Sequence, residues 1–425
     1  MGSHAATEHP ATAGKPAVYA VVALAFIMVL IDGFDTASIA FVAPVIAGQW
    51  GLSPAAFTPA FVSTSLGAVV GYMISGSMAA RWGARYTGLA SVLVFGLGSL
   101  ATAWASSLEM LVLLRFVTAI GLGAILPIMV SLATEVISPR RRETVAMLVV
   151  TGLSAGSVLG GVLGVPLIHR HGWQSIFWVG GIVPLVLLVP LAWALSMSRS
   201  NGGQAASVPG ARKPGVVRAL FDGGLAPRTI LLWLFAFVVF INSYALMFWI
   251  PSLLMSFGFE AGQTPLGTAA LGVGGLAGSL FMMVFISRTG VKPLLALMTL
   301  LAAACVWLIS RADIQQSWVL PLIAGLGAGS IACCVGQSVL AVSFYPSALR
   351  TAGVGWAAAL GRIGSIVGPA VGGALLSLGW NARDIVLTAV IPAAVALVLL
   401  LGMALSDRRA RGAVNESTVV DRPME

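Results

Sequence analysis

The spacing of the charged residues constrains this chain of 425 residues more than any other feature. Between charges lie uncharged runs that are each long enough to cross a bilayer, which takes about 20 apolar residues. These runs are 41–80, 86–108, 144–169, 171–198, 229–259, 261–287, 314–349 and 385–406. With 58% hydrophobic and only 9% charged residues, the chain could not cover the surface of a water-soluble fold. The pattern predicts an all-α polytopic membrane protein.

Dividing the apolar runs at Pro, Gly and charge clusters predicts twelve membrane-spanning helices. They lie near 17–42, 57–80, 86–105, 108–137, 144–167, 175–197, 229–257, 263–287, 292–311, 316–345, 351–377 and 385–405. The polar stretch after the sixth span reads as a linker between two six-helix halves. The predicted organisation is an N-terminal tail (1–16), a first half (17–197), a linker (198–228), a second half (229–405) and a C-terminal tail (406–425).

Most of the 23 Lys and Arg fall in the loops and tails on one side of these spans. Only Arg170, Arg311 and Arg383 fall on the other side, and Arg115 and Arg362 lie within spans. Because cytoplasmic loops carry the excess of basic residues, both termini are predicted to be cytoplasmic. The same bias explains the net charge of +9 without a nucleic-acid partner.

Three features recur in the second half at almost one offset, which indicates an internal repeat. Two recur 207 residues later and one 208 residues later. The pairs are Arg81–Arg85 with Arg288–Lys292, Pro139 with Pro346, and Gly156–Gly160 with Gly364–Gly368. The repeat predicts two pseudo-symmetric halves with a central cavity between them.

The loop that ends the second span carries a recognisable motif. Gly76–Arg85 resembles the G-x-x-x-D-R-x-G-R signature of the major facilitator superfamily, although Ala80 replaces the usual acid. Arg115–Gly123 is similar to the superfamily signature that opens the fourth helix. Within the superfamily, Asp32–Thr36, Glu135 with the basic run after it, and Tyr345–Gly364 resemble the aromatic acid:proton symporters. The resemblance implies a proton-coupled transporter in a bacterial inner membrane.

The acids within the spans are candidates for proton coupling, because an ionisable group in the bilayer is costly and functional by default. Asp35 and Arg115 lie at about the same depth, roughly 10 Å from the outer ends of their helices, so they are predicted to meet. Asp32 lies one turn deeper than Asp35 and is expected on the same face. In sugar:proton symporters of the superfamily a similar Asp pairs with the Arg and carries the proton, which implies this role for Asp35. The alternatives are a permanently ionised Asp35–Arg115 pair and an Asp32 that shares the proton or shapes the cavity.

Arg362 lies near the bilayer midplane with no acid of its own half at that depth. A guanidinium in this position could bind the carboxylate of a substrate, or it could bond to backbone carbonyls or to Asp32. Further candidates for substrate binding are polar-tipped or aromatic residues of the seventh, tenth and eleventh spans. They are Asn242, Tyr244, Trp249, Gln337 and Trp356, each of which could equally be a packing residue.

Glu135 lies about 30 Å further along its helix than Arg115, near the cytoplasmic surface. Its natural partners are Arg81 or the basic run Arg140–Arg142. The superfamily resemblance implies a cytoplasmic gate that holds an outward-facing state closed. The residues assigned to this gate are Arg81, Arg85, Glu135, Arg141 and Arg288.

Several function classes lack their required residues. There is no nucleotide-binding G-x-x-x-x-G-K-[ST] motif, and no His lies in a span to ligate a metal or haem. We therefore predict no enzyme activity and no cofactor other than the coupling protons. The resemblance to the aromatic acid:proton symporters implies import of an aromatic carboxylate, and we expect a monomer. The alternatives are a transporter of a non-aromatic organic acid and a proton antiporter that exports amphipathic compounds. An integral membrane enzyme and a channel are disfavoured.

Overall fold

A computed structural model describes residues 15–138, 141–197, 216–222, 224–311, 313–345 and 347–420. Within these ranges the chain is almost entirely helical and contains no strand. Residues 1–14 and 421–425 of the predicted tails and linker residues 198–215 lie outside the described residues, as do Pro139, Arg140 and Pro346.

Within the described ranges, twelve helical segments are long and apolar enough to cross a membrane, as the sequence predicts. Two short helices accompany them, one in the linker region and one at the start of the twelfth span. In chain order the helices are α1 (Lys15–Trp50), α2 (Thr58–Trp82), α3 (Ala84–Thr102), α4 (Leu108–Glu135), α5 (Arg142–His171), α6 (Gln174–Met197), α7 (Val216–Ala219), α8 (Ala226–Ser256), α9 (Pro265–Thr289), α10 (Val291–Arg311), α11 (Gln316–Phe344), α12 (Ser347–Ser377), α13 (Ala382–Leu387) and α14 (Val390–Val420).

The first and twelfth spans differ from the expected segments. The first was expected to end near Val42, before Pro44, but α1 continues to Trp50 with Pro44 inside it. Pro44 cannot donate its intrahelical hydrogen bond, yet buried residues on both sides, including Phe41 and Ile46, keep the helix packed. The twelfth span breaks near Thr388 into α13 and α14.

The internal repeat is visible in the backbone. Of the seven glycines with positive φ among the described residues, six form three pairs that are each separated by 207 residues, and Gly224 stands alone. The pairs are Gly51 and Gly258, Gly83 and Gly290, and Gly172 and Gly379. At Gly83 and Gly290 (φ 85° and 83°) a single residue joins two antiparallel helices, a left-handed conformation that favours glycine. The two six-helix halves therefore turn at equivalent positions.

Helices within each half approach closely wherever glycine removes the side chain. A Cβ atom on Gly156 of α5 would collide with the backbone of Leu30 on α1. In the second half, a Cβ atom on Gly364 of α12 would collide in the same way with Phe237 on α8. The recurring segments Gly156–Gly160 and Gly364–Gly368 thus allow the tight α1–α5 and α8–α12 contacts.

The two halves meet at the far end of the bundle, which is the end away from Lys15 and Val420. There the ring of Phe61 stacks on Phe248 at 4.8 Å and lies edge-on to Trp249 at 5.4 Å. The Thr264 hydroxyl donates a 2.8 Å hydrogen bond to the Phe41 carbonyl, which also joins the halves. This conformation is therefore closed at the far end.

Candidate functional site

A polar cavity lies between the two halves, where the repeat places it. The space between the two halves amounts to about 520 Å³, open solvent included. Helices α1, α2, α4 and α5 of the first half and α8 and α12 of the second line it. The lining residues are Asp32, Thr36, Thr64, Ser65, Ala68, Ala119, Leu122, Gly123, Leu126, Leu153, Tyr244, Phe248, Arg362 and Ser365.

Arg362 provides the positive charge of this cavity. Its Nη1 donates a 3.2 Å hydrogen bond to the hydroxyl of Tyr244 on α8. Its guanidinium carbon lies 5.6 Å from the ring centroid of Tyr72 on α2, a cation–π contact that crosses between the halves. Two neutral phenols thus hold the side chain in place. No ion pair to Arg362 occurs among the described residues, so its positive charge has no paired anion there.

Asp32 is the acid that lines the cavity. It is 5% exposed, and the Thr36 hydroxyl one turn further along α1 donates a 3.1 Å hydrogen bond to its Oδ1. In the part of the chain that the structure describes, Asp32 forms no ion pair with Arg362, although both face the same space. The expected alternative in which Asp32 directly neutralises Arg362 is therefore not the arrangement seen here.

Asp35 and Arg115 form a separate, fully buried pair, at 2.8 Å between Oδ2 and Nη1. The predicted contact between these two residues is present. Ser99 of α3 donates a 2.7 Å hydrogen bond to the other carboxylate oxygen, and the Arg115 guanidinium lies 5.5 Å from the ring of Phe177 on α6. The cluster thus sits inside the first half, enclosed by α1, α3, α4 and α6.

Asp32 and Asp35 therefore have different surroundings, although both were expected on one face of the first helix. Three residues advance a helix by about 300°, which leaves a 60° rotation between the two side chains. That rotation turns Asp32 toward the cavity and Asp35 toward Arg115. Only Asp32 is in direct contact with the space that a ligand could enter.

The structure places four of the six predicted substrate-binding residues outside the cavity lining. Asn242 faces a smaller cavity within the second half, and Trp249 packs at the far-end interface, where its indole donates to the Pro369 carbonyl at 3.3 Å. Gln337 is 2% exposed and donates to the Ser338 hydroxyl, and Trp356 stacks on Trp233 at 5.8 Å. Arg362 and Tyr244 alone of the six line the central cavity.

Helical periodicity explains the mixed outcome on α8. Residues 242 and 244 lie about 200° apart around a helix, whereas 244 and 248 lie only about 40° apart. Tyr244 and Phe248 therefore share the cavity face, and Asn242 does not.

Several residues of the cavity and its surroundings were not predicted from the sequence. Phe248, Ser365 and Thr36 lie three or four residues from Tyr244, Arg362 and Asp32, so the i+3 and i+4 rule could have identified them. Tyr72 and Ser65 on α2 had no charged neighbour in sequence to single them out.

The residues predicted to form a gate all lie at the near end, which is the end that carries Lys15. Glu135 is exposed and accepts a 3.2 Å hydrogen bond from Ser131, one turn earlier on α4. Arg81 and Arg85 lie over the neighbouring rings of Trp82 and Tyr86, and Arg141 and Arg288 are exposed. Among the described side chains no ion pair joins these residues. The predicted gate therefore does not hold the near end closed in this conformation, in which the far end is closed.

Fold and cavity together define a class: a polytopic membrane transport protein whose central site lies between two six-helix halves. The profile of the Major Facilitator Superfamily matches residues 25–339 and again residues 232–423. The chain belongs to the Major Facilitator Superfamily. It is a transport protein and not an enzyme.

Two curated relatives cover nearly the whole chain. The 4-hydroxybenzoate transporter PcaK of Pseudomonas aeruginosa is 31% identical over 92% of this chain and 93% of its own length. The 3-(3-hydroxy-phenyl)propionate transporter of Escherichia coli is 34% identical over 92% of this chain and 94% of its own. Both are aromatic-acid transporters, which agrees with the resemblance that the motifs indicated.

A solved structure shares the fold. The inward-facing, unoccupied bacterial homolog of the human lysosomal transporter Spinster aligns with a TM-score of 0.69, over 92% of this chain and 98% of that chain. At 17% identity this likeness concerns the fold alone.

Proposed function

We propose that this protein is a proton-coupled transporter that imports an aromatic carboxylate by alternating access. The observation that carries the proposal is Arg362, a cation that faces the central cavity and is bonded there to the neutral phenol of Tyr244. A guanidinium can donate two hydrogen bonds to one carboxylate. The two relatives, which transport a hydroxybenzoate and a hydroxyphenylpropionate, support an aromatic acid as the substrate.

The charges of the cavity suggest how the acid and the proton are coupled. With Asp32 ionised, its charge balances that of Arg362, so an entering carboxylate adds an unbalanced negative charge. A buried charge without compensation is costly, and protonation of Asp32 removes the excess. Binding of the anion and of a proton at Asp32 therefore favour each other, and this linkage is reciprocal.

Asp35 provides a second site in the proposed cycle. It lies behind Asp32, in the buried cluster with Arg115 and Ser99. Protonation of Asp35 would loosen its bond to Arg115 and so change the packing of α1 against α4 as the halves move. A monoanion carried with more than one proton gains about 2.3 kcal/mol per net charge for each 100 mV of membrane potential. Two carboxylates would allow this gain.

The predicted orientation assigns the two ends of the bundle to the two sides of the membrane. The excess of basic residues at the near end supports an orientation with both termini in the cytoplasm and the protein in an inner membrane. The far end, closed by Phe61 and Phe248, is then the outer side, so the conformation faces inward. In the outward-facing state the near end would close instead, with Glu135 meeting the basic residues around it. One monomer contains both halves and the complete cavity.

The proposal is tested in proteoliposomes by the uptake of radiolabelled 4-hydroxybenzoate, with and without an inward proton gradient. We expect the gradient to drive accumulation and a protonophore to abolish it. Asp32→Asn should abolish gradient-driven accumulation but retain exchange of internal for external acid. Glu109→Gln, at an exposed acid near the far end, is the matched control and should accumulate normally. Uptake that ignores the gradient would reject symport, and efflux driven by it would favour the antiporter.

A further inference from the structure

One hydroxyl of the cavity has no hydrogen-bond partner. Ser65 on α2 lines the cavity and is 3% exposed, yet its Oγ bonds to no atom of the described residues. Its neighbours differ in this respect. The hydroxyl of Thr64 donates to the Ala60 carbonyl, that of Thr36 to Asp32, and that of Ser365 to the Arg362 carbonyl.

An unpartnered buried hydroxyl is unusual and needs an explanation. Serine hydroxyls in helices commonly donate to the carbonyl three or four residues earlier, as Ser63 does to Ala60 in the preceding turn of α2. A buried polar atom without a partner costs about 1–3 kcal/mol, so such atoms are rare in folded proteins. At a wall of a ligand cavity, the missing partner can be supplied by the ligand.

The position of Ser65 relative to Arg362 indicates which group of the ligand pairs with the Ser65 hydroxyl. Ser65 lies seven residues before Tyr72, against whose ring the Arg362 guanidinium rests, so the two α2 positions are about 10 Å apart along the helix. Ser65 and the Arg362 guanidinium therefore lie at different depths of the cavity, so one ligand can contact them with two different polar groups. Phe248 and Tyr244 line the wall from α8, and Ala68 and Ala119 line it from the first half. These side chains supply the apolar and aromatic part of the lining, against which an aromatic ring can pack.

We propose that Ser65 is a specificity residue that binds a ring hydroxyl of the substrate. The substrate is then a hydroxylated aromatic acid, whose carboxylate binds Arg362 and whose meta or para hydroxyl exchanges hydrogen bonds with Ser65. This inference rests on the proposed function, since it assumes an aromatic acid bound at Arg362. It adds the prediction that the unsubstituted acid binds more weakly, because the acid then leaves the Ser65 hydroxyl unpaired.

Calorimetric titration of the purified full-length protein with 4-hydroxybenzoate and with benzoate tests the inference. A neutral hydrogen bond is worth about tenfold in Kd, so the wild type should bind 4-hydroxybenzoate about ten times more tightly than benzoate. Ser65→Ala should weaken binding of 4-hydroxybenzoate about tenfold and leave benzoate unchanged. In Ser65→Cys the thiol forms weaker hydrogen bonds, so its Kd for 4-hydroxybenzoate should lie between those of the wild type and Ser65→Ala.

Ser63→Ala is the matched control, because Ser63 lies on the same helix, bonds to the carbonyls of Ala60 and Val112 and does not line the cavity. It should retain the wild-type ratio of the two Kd values. Equal binding of both acids by the wild type, no change in Ser65→Ala, or an equal loss for both acids in Ser65→Ala would each overturn the inference while the proposed function stands. If the wild type binds neither acid, both the inference about Ser65 and the proposed function are wrong.

Discussion

Replacing Asp35 with Asn should destabilise the protein by about 3 kcal/mol, whereas the same change at Asp32, one turn away, should cost less than about 1 kcal/mol. The two residues carry the same carboxylate on the same helix. Their surroundings differ, since Asp35 forms a buried ion pair with Arg115 and Asp32 faces the cavity. Comparison of the two variants therefore tests the assignment of one acid to each environment.

The magnitude follows from the contacts of Asp35. Its carboxylate accepts hydrogen bonds from Arg115 at 2.8 Å and from Ser99 at 2.7 Å, and both charged side chains are fully buried. Removal of one partner of a buried ion pair costs about 3–5 kcal/mol, because the other charge remains without compensation. Asn keeps the size of the side chain and can still accept from Ser99, which places Asp35→Asn at the lower end of that range. Asp35→Ala also loses this bond and should reach the upper end.

A double-mutant cycle separates the ion pair from other effects of the substitutions. Arg115→Met alone should also cost about 3–5 kcal/mol, but Asp35→Asn combined with Arg115→Met should cost less than the sum of the two by about 3 kcal/mol. Unfolding free energies can be measured in mixed micelles by denaturant titration, with fluorescence of the 12 Trp residues as the signal. Costs that add to within about 0.5 kcal/mol would refute a direct interaction between the two side chains.

Three further predictions concern the cavity, the helix contacts and the far end. Arg362→Ala should weaken binding of 4-hydroxybenzoate about 10- to 100-fold, because hydrogen bonds to charged groups are worth about 1.5–3 kcal/mol. Calorimetry should show that binding of the corresponding neutral amide is nearly unchanged. Equal losses for the acid and the amide would exclude carboxylate anchoring. Gly156→Ala should lower the unfolding free energy by about 1–3 kcal/mol, since the added Cβ would collide with α1. A Cβ at Gly48 meets no atom within 4 Å, so the unfolding free energy of Gly48→Ala should stay near that of the wild type. Equal stability of both variants would contradict the tight contact. Phe61→Ala removes the stacking that joins the halves, so spin labels across the far end should show a larger share of long distances, and an unchanged distribution would show that other contacts keep this end closed.

Helix geometry explains which parts of the site were predictable. A rise of 1.5 Å per residue predicted the contact between Asp35 and Arg115 from their distances to the expected helix ends. The contact is present, but α1 continues to Trp50, so Asp35 lies about 22 Å from the far end of its helix and Arg115 only about 10 Å from the start of α4. The two helix ends are therefore not level, and the count from them did not by itself determine the pair.

Rotation about the helix axis was less predictable than depth. In apolar spans every face is hydrophobic, so the sequence has no polar stripe to show which face meets the cavity. Polar or aromatic character therefore did not separate Tyr244, which lines the cavity, from Asn242 and Trp249, which do not. Neutral residues such as Ser65 and Tyr72 carry no signal in sequence, because spans commonly contain them for packing or for bonds to the backbone.

The number of spans and the two-half repeat followed from the sequence by itself, because bilayer thickness and the cost of buried charge act on each segment locally. The family followed from the resemblance of its motifs. Only the tertiary structure decided which acid faces the cavity, which phenols hold Arg362, and that the halves close at the far end. These features depend on the rotation of each helix against neighbours far away in the chain, and that rotation is set by close packing across the whole bundle.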